Sequence, residues 1–109
     1  MIGIEEFDQV DMRVGTILEA SVNKKARHPA YKLKIDFGAE LGVKTSSAQI
    51  TALYTPEQLV GRQVVCCVNL TPMHIGSVKS EVRILGSESK QGVVLLQPTE
   101  PVENGDRIF

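Results

Sequence analysis

The sequence of 109 residues has no tryptophan, two tyrosines and three phenylalanines. A surface that holds single-stranded nucleic acid by stacking needs several exposed rings. With Tyr31 and Phe37 expected in the core, few rings remain, which disfavours generic single-strand binding; a folded RNA read by shape and phosphate needs fewer. Cysteine is equally scarce. Cys66 and Cys67 are the only two and are adjacent, whereas a structural zinc site takes four protein ligands, and His28 and His74 add no metal spacing. On a strand, one thiol should point into the core and the other outward. No apolar run approaches the ~20 residues of a membrane helix, so membrane insertion is not expected. The start, "MIGIEEFDQVDMR", lacks the basic, apolar, small-residue order of a signal peptide, and the expected location is the cytoplasm. Catalytic signatures are missing as well: no GxSxG, HExxH, phosphate-binding loop or CxxC. Nothing supplies Ser46 or Ser47 with an identifiable base and orienter. The expectation is a protein that is not an enzyme, with no cofactor and no metal.

What is present suits one globular domain over residues 1–109. Hydrophobic residues make up 42% and charged residues 23%, enough apolar material to fold without a disulfide or metal. The formal net charge of -1 hides an uneven spread. Residues 1–23 carry Glu5, Glu6, Asp8, Asp11 and Glu19 against Arg13. Residues 24–44 carry Lys24, Lys25, Arg27, Lys32, Lys34 and Lys44 against Asp36 and Glu40. Such a basic segment is either a solvated face or an attractor of phosphate or acidic protein.

Periodicity predicts mostly strands. "IEEFDQVD" places Ile4, Phe7 and Val10 at steps of three, a short helix or turn. "MRVGTILEASVNK" puts Val14, Thr16, Leu18, Ala20 and Val22 in one phase of a long strand, with Gly15 as its expected bulge or bend. Pro29 makes "ARHPA" a turn. "YKLKIDFG" then alternates Tyr31, Leu33, Ile35 and Phe37 with Lys32, Lys34 and Asp36. "AELG" reads as a tight turn and "VKTSSAQI" as a third strand. "TPEQLVG" carries a helical-turn signature: Thr55 as cap, Pro56 at the first position, Gln58 completing a capping box and Gly61 ending it. "RQVVCCVNL", residues 80–86 and "GVVLLQP" read as further strands, with a turn at Asn104-Gly105. The fold class is all-β. The best fit is a five-stranded OB-fold, a Greek-key barrel with short helical elements and N- and C-terminal extensions; an SH3-like barrel is the alternative.

The segments "DMRVGTILEA", "HPAYKLKIDFG", "YTPEQLVGRQVVCCVNL" and "GSVKSEVRILG" resemble the tRNA-binding domain family of OB-folds, in order, over roughly residues 6–109. That family includes free-standing dimers and modules attached to methionyl- and phenylalanyl-tRNA synthetases. Through "VKTSSAQIT", "KSEV", "VVLLQP" and "PVENG" the resemblance is to its CsaA-like secretion-chaperone branch. Ser47-Ala48 stands where the synthetase-linked branch has Ser-Gly, and Met73 and His74 stand where Arg and Lys are common. Ser80-Glu81-Val82-Arg83 keeps only the Ser of a Ser-x-Gly-Met pattern. Losing positive charge near apolar neighbours suits polypeptide better than RNA. The resemblance implies a homodimer that binds precursor or unfolded proteins, aids their export and contacts the export motor SecA, with tRNA as the alternative ligand.

The residues expected to meet either polymer are Lys32, Lys34, Lys44, Ser46, Ser47, Gln49, Met73, His74, Ile75, Lys79, Ser80 and Arg83. They combine cations, small hydrogen-bonding groups and an apolar turn. Ile2, Ile4 and Phe7 precede the barrel, and Val102, Ile108 and Phe109 follow it. An isologous two-fold interface could bury both sets, at ~1.5–3 kcal/mol for each fully buried side chain.

Overall fold

Tyr31, Leu33, Ile35 and Phe37 are all buried, while Lys32 and Lys34 between them are exposed. The alternation of β2 (Tyr31–Asp36) thus sets the barrel wall as the sequence predicts. The computed structural model describes residues 1–109. Around β2 an antiparallel sheet runs in the order β3-β2-β1-β4-β7. Its other members are β1 (Met12–Val22), β3 (Val43–Ala48), β4 (Gln63–Cys67) and β7 (Arg83–Ile84). This is the five-stranded, nearly closed barrel of an OB-fold. Three short helices accompany it, α1 (Ile4–Asp8), α2 (Gly38–Leu41) and α3 (Pro56–Leu59). In α3, Thr55 accepts a hydrogen bond from the Gln58 N–H, and Gln58 accepts one from the Thr55 N–H, so the predicted capping box is formed. Leu59 is thereby fixed in a core it shares with Ile17, Leu33, Ile35, Phe37, Val64, Cys66 and Val82.

The bend in β1 falls elsewhere than predicted. The register against β2 steps from Ile17↔Ile35 to Glu19↔Lys34, so the extra residue is Leu18 rather than Gly15. The inward phase changes there: Gly15 and Ile17 face the core before the bulge and Ala20 packs against it after, while Leu18 is exposed. Gly15 has another task. A Cβ on it would lie 2.6 Å from Ile35 Cγ2 and 2.8 Å from two ring carbons of Phe37. The glycine lets β1 pass directly over these two core side chains.

The strand expected at residues 80–86 is interrupted. It appears as β6 (Val78–Ser80), paired with β5 (Met73–Ile75), then β7, then β8 (Gly86–Ser89), paired with β9 (Gly92–Leu95). The interruption closes the barrel. Glu81 N–H donates to the Thr45 carbonyl (2.8 Å), and Glu81 Oε1 accepts the Thr45 N–H (3.0 Å). Two residues later, Arg83 pairs with Cys67 of β4. The chain has crossed from the β3 edge to the β4 edge, so residues 80–86 cannot follow one strand.

The two cysteines do face opposite sides, yet both are buried, Cys66 in the core and Cys67 at 5% exposure. The expected outward thiol is covered because the first and last segments of the chain pack over that side. Asn69, 3.5 Å from Cys67 Sγ, donates to the Gln9 carbonyl. The unpredicted β10 (Arg107–Ile108) pairs with Met12 and Arg13.

Candidate polymer-binding surface

The register places Glu19 and Ser21 of β1, Lys32 and Lys34 of β2, and Thr45 and Ser47 of β3 on the outer side of the wall. Lys34 Nζ lies 3.3 Å from Glu19 Oε2, with both side chains about half exposed or more. The pair contributes little to stability, but it joins the acidic first segment to the basic second one. Charge separated along the sequence is partly neutralised in space. Lys32 has no such partner. Lys32 and Lys34, with Leu18, Glu19, Ala20, Ser21 and Val60, line an open cleft of about 440 Å³.

Ser47 extends this surface to the next element. Its N–H donates to Ser80 Oγ (3.0 Å), and its Oγ accepts from Asn23 Nδ2 (3.0 Å). The same Asn23 nitrogen donates to the Ile75 carbonyl at 2.9 Å. Asn23 is only 5% exposed, so this amide pins the β5–β6 hairpin to the turn between β1 and β2. Gly76 makes the contact close: its φ is +63°, and a Cβ would meet the Lys25 carbonyl carbon at 2.6 Å. Met73, His74 and Lys79 are exposed on the docked hairpin, beside exposed Lys24, Lys25, Arg27 and His28 of the turn. Met73 is 65% exposed. The result is a basic corner with an apolar side chain in it.

The other expected site residues divide. Ile75 is half-buried, and Ser80 is spent partly on Ser47. Gln49 is exposed just past β3. Lys44 lies opposite Ile35, in the inward phase at the start of β3, away from the Lys32–Ser47 stripe. Arg83 is exposed on β7 across from Cys67. Ser46 is 1% exposed and donates to the Val82 carbonyl (2.9 Å). Its hydroxyl is a barrel-closing group and no ligand can reach it. Asn23, Lys25 and Arg27 were not singled out for the site. Asn23 and the basic "KKAR" run beside it were the available signal, but their link to residues 73–80 is tertiary.

Neither tyrosine offers a stacking face. Tyr31 Oη donates to the Tyr54 carbonyl (2.7 Å), Tyr54 Oη accepts the Leu95 N–H (2.9 Å), and the Arg62 guanidinium covers the Tyr54 ring. Burial pushes the Cys66 thiol up to about 12, with a smaller push from Cys67 beside it, so it is no nucleophile at neutral pH.

The family model described as a putative tRNA binding domain matches residues 12–107. The chain belongs to that family. Similar solved structures cover it from end to end. The chaperone CsaA of Bacillus anthracis str. Ames is 48% identical, with a TM-score of 0.93, over 100% of this chain and 99% of that one. The CsaA chaperone protein of Picrophilus torridus is 45% identical, with a TM-score of 0.95, over 100% of both. The methionine–tRNA ligase of Archaeoglobus fulgidus is 40% identical over 98% of this chain. The chain spans only 14% to 16% of the curated ligases it matches, so the likeness is to one binding domain of those enzymes. No helix is long and apolar enough to cross a membrane.

Proposed function

We propose that the chain is a non-catalytic, homodimeric export chaperone of the cytoplasm, holding precursor or unfolded polypeptides and passing them to the motor SecA. The observation that carries this reading is the likeness to CsaA structures at 45% to 48% identity over the whole of both chains. The surface is in keeping with it. Exposed Leu18, Val60 and Met73 are interleaved with Lys32, Lys34 and Lys79. Apolar side chains beside flexible cations suit varied polypeptides. The proposed contacts are Lys32, Lys34, Ser47, Gln49, Met73, His74, Ile75, Lys79 and Ser80, with Lys44 and Arg83 at the margins.

The dimer proposal rests on the terminal segments. Ile2, Ile4, Phe7, Val102 and Phe109 are at least 38% exposed, and Phe109 is fully so. Pairing of β10 with Met12 and Arg13 brings the end of the chain beside the start of β1. Sedimentation of a protein lacking Ile108 and Phe109 should show more monomer; an unchanged dimer would place the interface elsewhere.

A second reading, structure-specific tRNA binding on the same surface, is favoured by the family match and by the basic corner of Lys24, Lys25, Arg27 and Lys79. Titration with labelled tRNA and with an unfolded precursor across a salt series separates the two. Binding through several phosphates collapses between about 50 and 200 mM salt, whereas apolar contacts with a precursor persist. Tight tRNA binding at physiological salt without precursor binding would refute the chaperone reading. Lys34→Glu should weaken whichever ligand binds and leave the fold intact.

A further inference from the structure

The second half of β1 has an open edge. Residues 12–16 of β1 pair with β4, and Ile17 exchanges hydrogen bonds with Gly61 and Arg62 (2.8 and 3.0 Å). Beyond the bulge at Leu18, residues 19–22 pair with β2 on one side and with no strand on the other. Asn23 N–H donates to the Ala30 carbonyl on the β2 side. By the two-residue alternation, Ser21 and Glu19 also face β2. The N–H and C=O of Ala20 and Val22 therefore point to the free edge. Neither residue's main chain has a turn, loop or side-chain hydrogen bond to take up these groups.

We infer that this edge receives an extended polypeptide, which adds as a further strand beside Ala20 and Val22. The inference rests on the polypeptide reading above and says how the ligand is held. Three features fit that occupant. Alternating N–H and C=O groups along an extended chain match another polypeptide backbone, and a nucleic acid offers no such repeat. Exposed Leu18 and Val22 on β1 and Val60 beside it supply apolar contacts without demanding one sequence. The cleft along this edge contains two ammonium groups, Lys32 and Lys34, against one carboxylate, Glu19, so an acidic side chain on the added strand has a partner. Main-chain pairing gives affinity for any unfolded segment, while alternate side chains give a mild preference for aliphatic and acidic residues. The edge is open because β4 begins at Gln63, opposite Thr16, and the chain before it comes from α3 through Val60, so no strand continues beside residues 19–22.

The test uses the full chain and a fluorescent, reduced and carboxymethylated globular protein as the unfolded probe. Anisotropy measures binding, and amide hydrogen exchange followed by NMR measures the edge. At saturation, the amides of Ala20 and Val22 should exchange at least about tenfold more slowly than in the free protein. Ala20→Pro removes one edge N–H that the fold does not use and places a ring in the path of the added strand; it should weaken the probe by roughly tenfold. If that variant fails to fold, the exchange measurement on the unaltered protein still decides. Probe binding without protection at Ala20 and Val22 overturns the edge proposal and leaves the chaperone reading standing. Equal protection by tRNA also overturns it. Absence of probe binding overturns both.

Discussion

Replacing Gly15 with alanine adds a methyl group where Ile35 and Phe37 already fill the space. The new carbon would lie 2.6 Å from Ile35 Cγ2 and 2.8 Å from Phe37 Cδ1 and Cε1. Comfortable carbon contacts are about 3.5–4.0 Å, so two side chains at 0% and 1% exposure must move by about 1 Å. Overpacking of a dense core costs about 1–3 kcal/mol. Gly15 does not have a positive φ, so alanine adds no backbone strain there and recovers about 0.4–1 kcal/mol of unfolded-chain entropy. The net expectation is a loss of about 1–2 kcal/mol, or roughly 5–15 °C in Tm for a chain of this size. Urea unfolding measures it, with parent and variant compared at the same protein concentration. A mutant cycle locates the cause. Phe37→Leu removes the clashing ring and should make the double variant less destabilised than the sum of the singles by about 1 kcal/mol. Ile35→Val keeps Cγ2 and should give no relief. A Gly15→Ala protein as stable as its parent, with an unchanged m-value, would refute the close-approach reasoning.

Cys66 gives a pH prediction with a definite sign. Burial raises its thiol from 9.0 to about 12, so between those values the folded chain keeps a proton that the unfolded chain releases. Its contribution is complete below pH 9 and lost as pH rises, at up to about 1.4 kcal/mol per pH unit. Urea titrations at pH 8 and pH 10.5 should show a larger loss for the parent than for Cys66→Ala; parallel losses would contradict it. Asn23→Ala removes two hydrogen bonds and leaves the Ile75 carbonyl without its amide donor, at a cost of about 1–3 kcal/mol. Amides of residues 73–80 should then exchange faster, and an unchanged hairpin would show that Asn23 does not hold it. Thr55→Ala should cost about 0.5–1 kcal/mol by thermal melting, the low end for a cap, because the Gln58 N–H to Thr55 Oγ1 bond is long at 3.4 Å. A loss above about 2 kcal/mol would mean that Thr55 does more than cap.

Features that depend on neighbouring residues were legible in the sequence. The alternation from Tyr31 to Phe37 chose the faces of β2, and Thr55-Pro56-Glu57-Gln58 formed its capping box. Lys32 and Lys34 came out exposed because strand geometry alone puts them there. Ser46 and Ser47 illustrate the boundary. Their opposite orientations followed from alternation, but only the approach of Val82 made Ser46 a buried closing group rather than a contact residue. In β1, "MRVGTILEASV" showed one apolar phase throughout, yet the chain must pair first with β4 and then with β2 alone, and the bulge at Leu18 changes the phase.

By itself, then, the sequence determined a barrel of half-buried strands, its turns, its likeness to a family and the outward lysines of β2. These are short-range properties, governed by a side-chain period of two and by turn chemistry. The tertiary structure decided what meets across the barrel. It covered Cys67, seated the hairpin of Met73 against Lys25 through one buried amide, set Glu19 beside Lys34 and left one edge of β1 unpaired. Each of these depends on register and on pairings of residues far apart in the chain, and no local pattern encodes either.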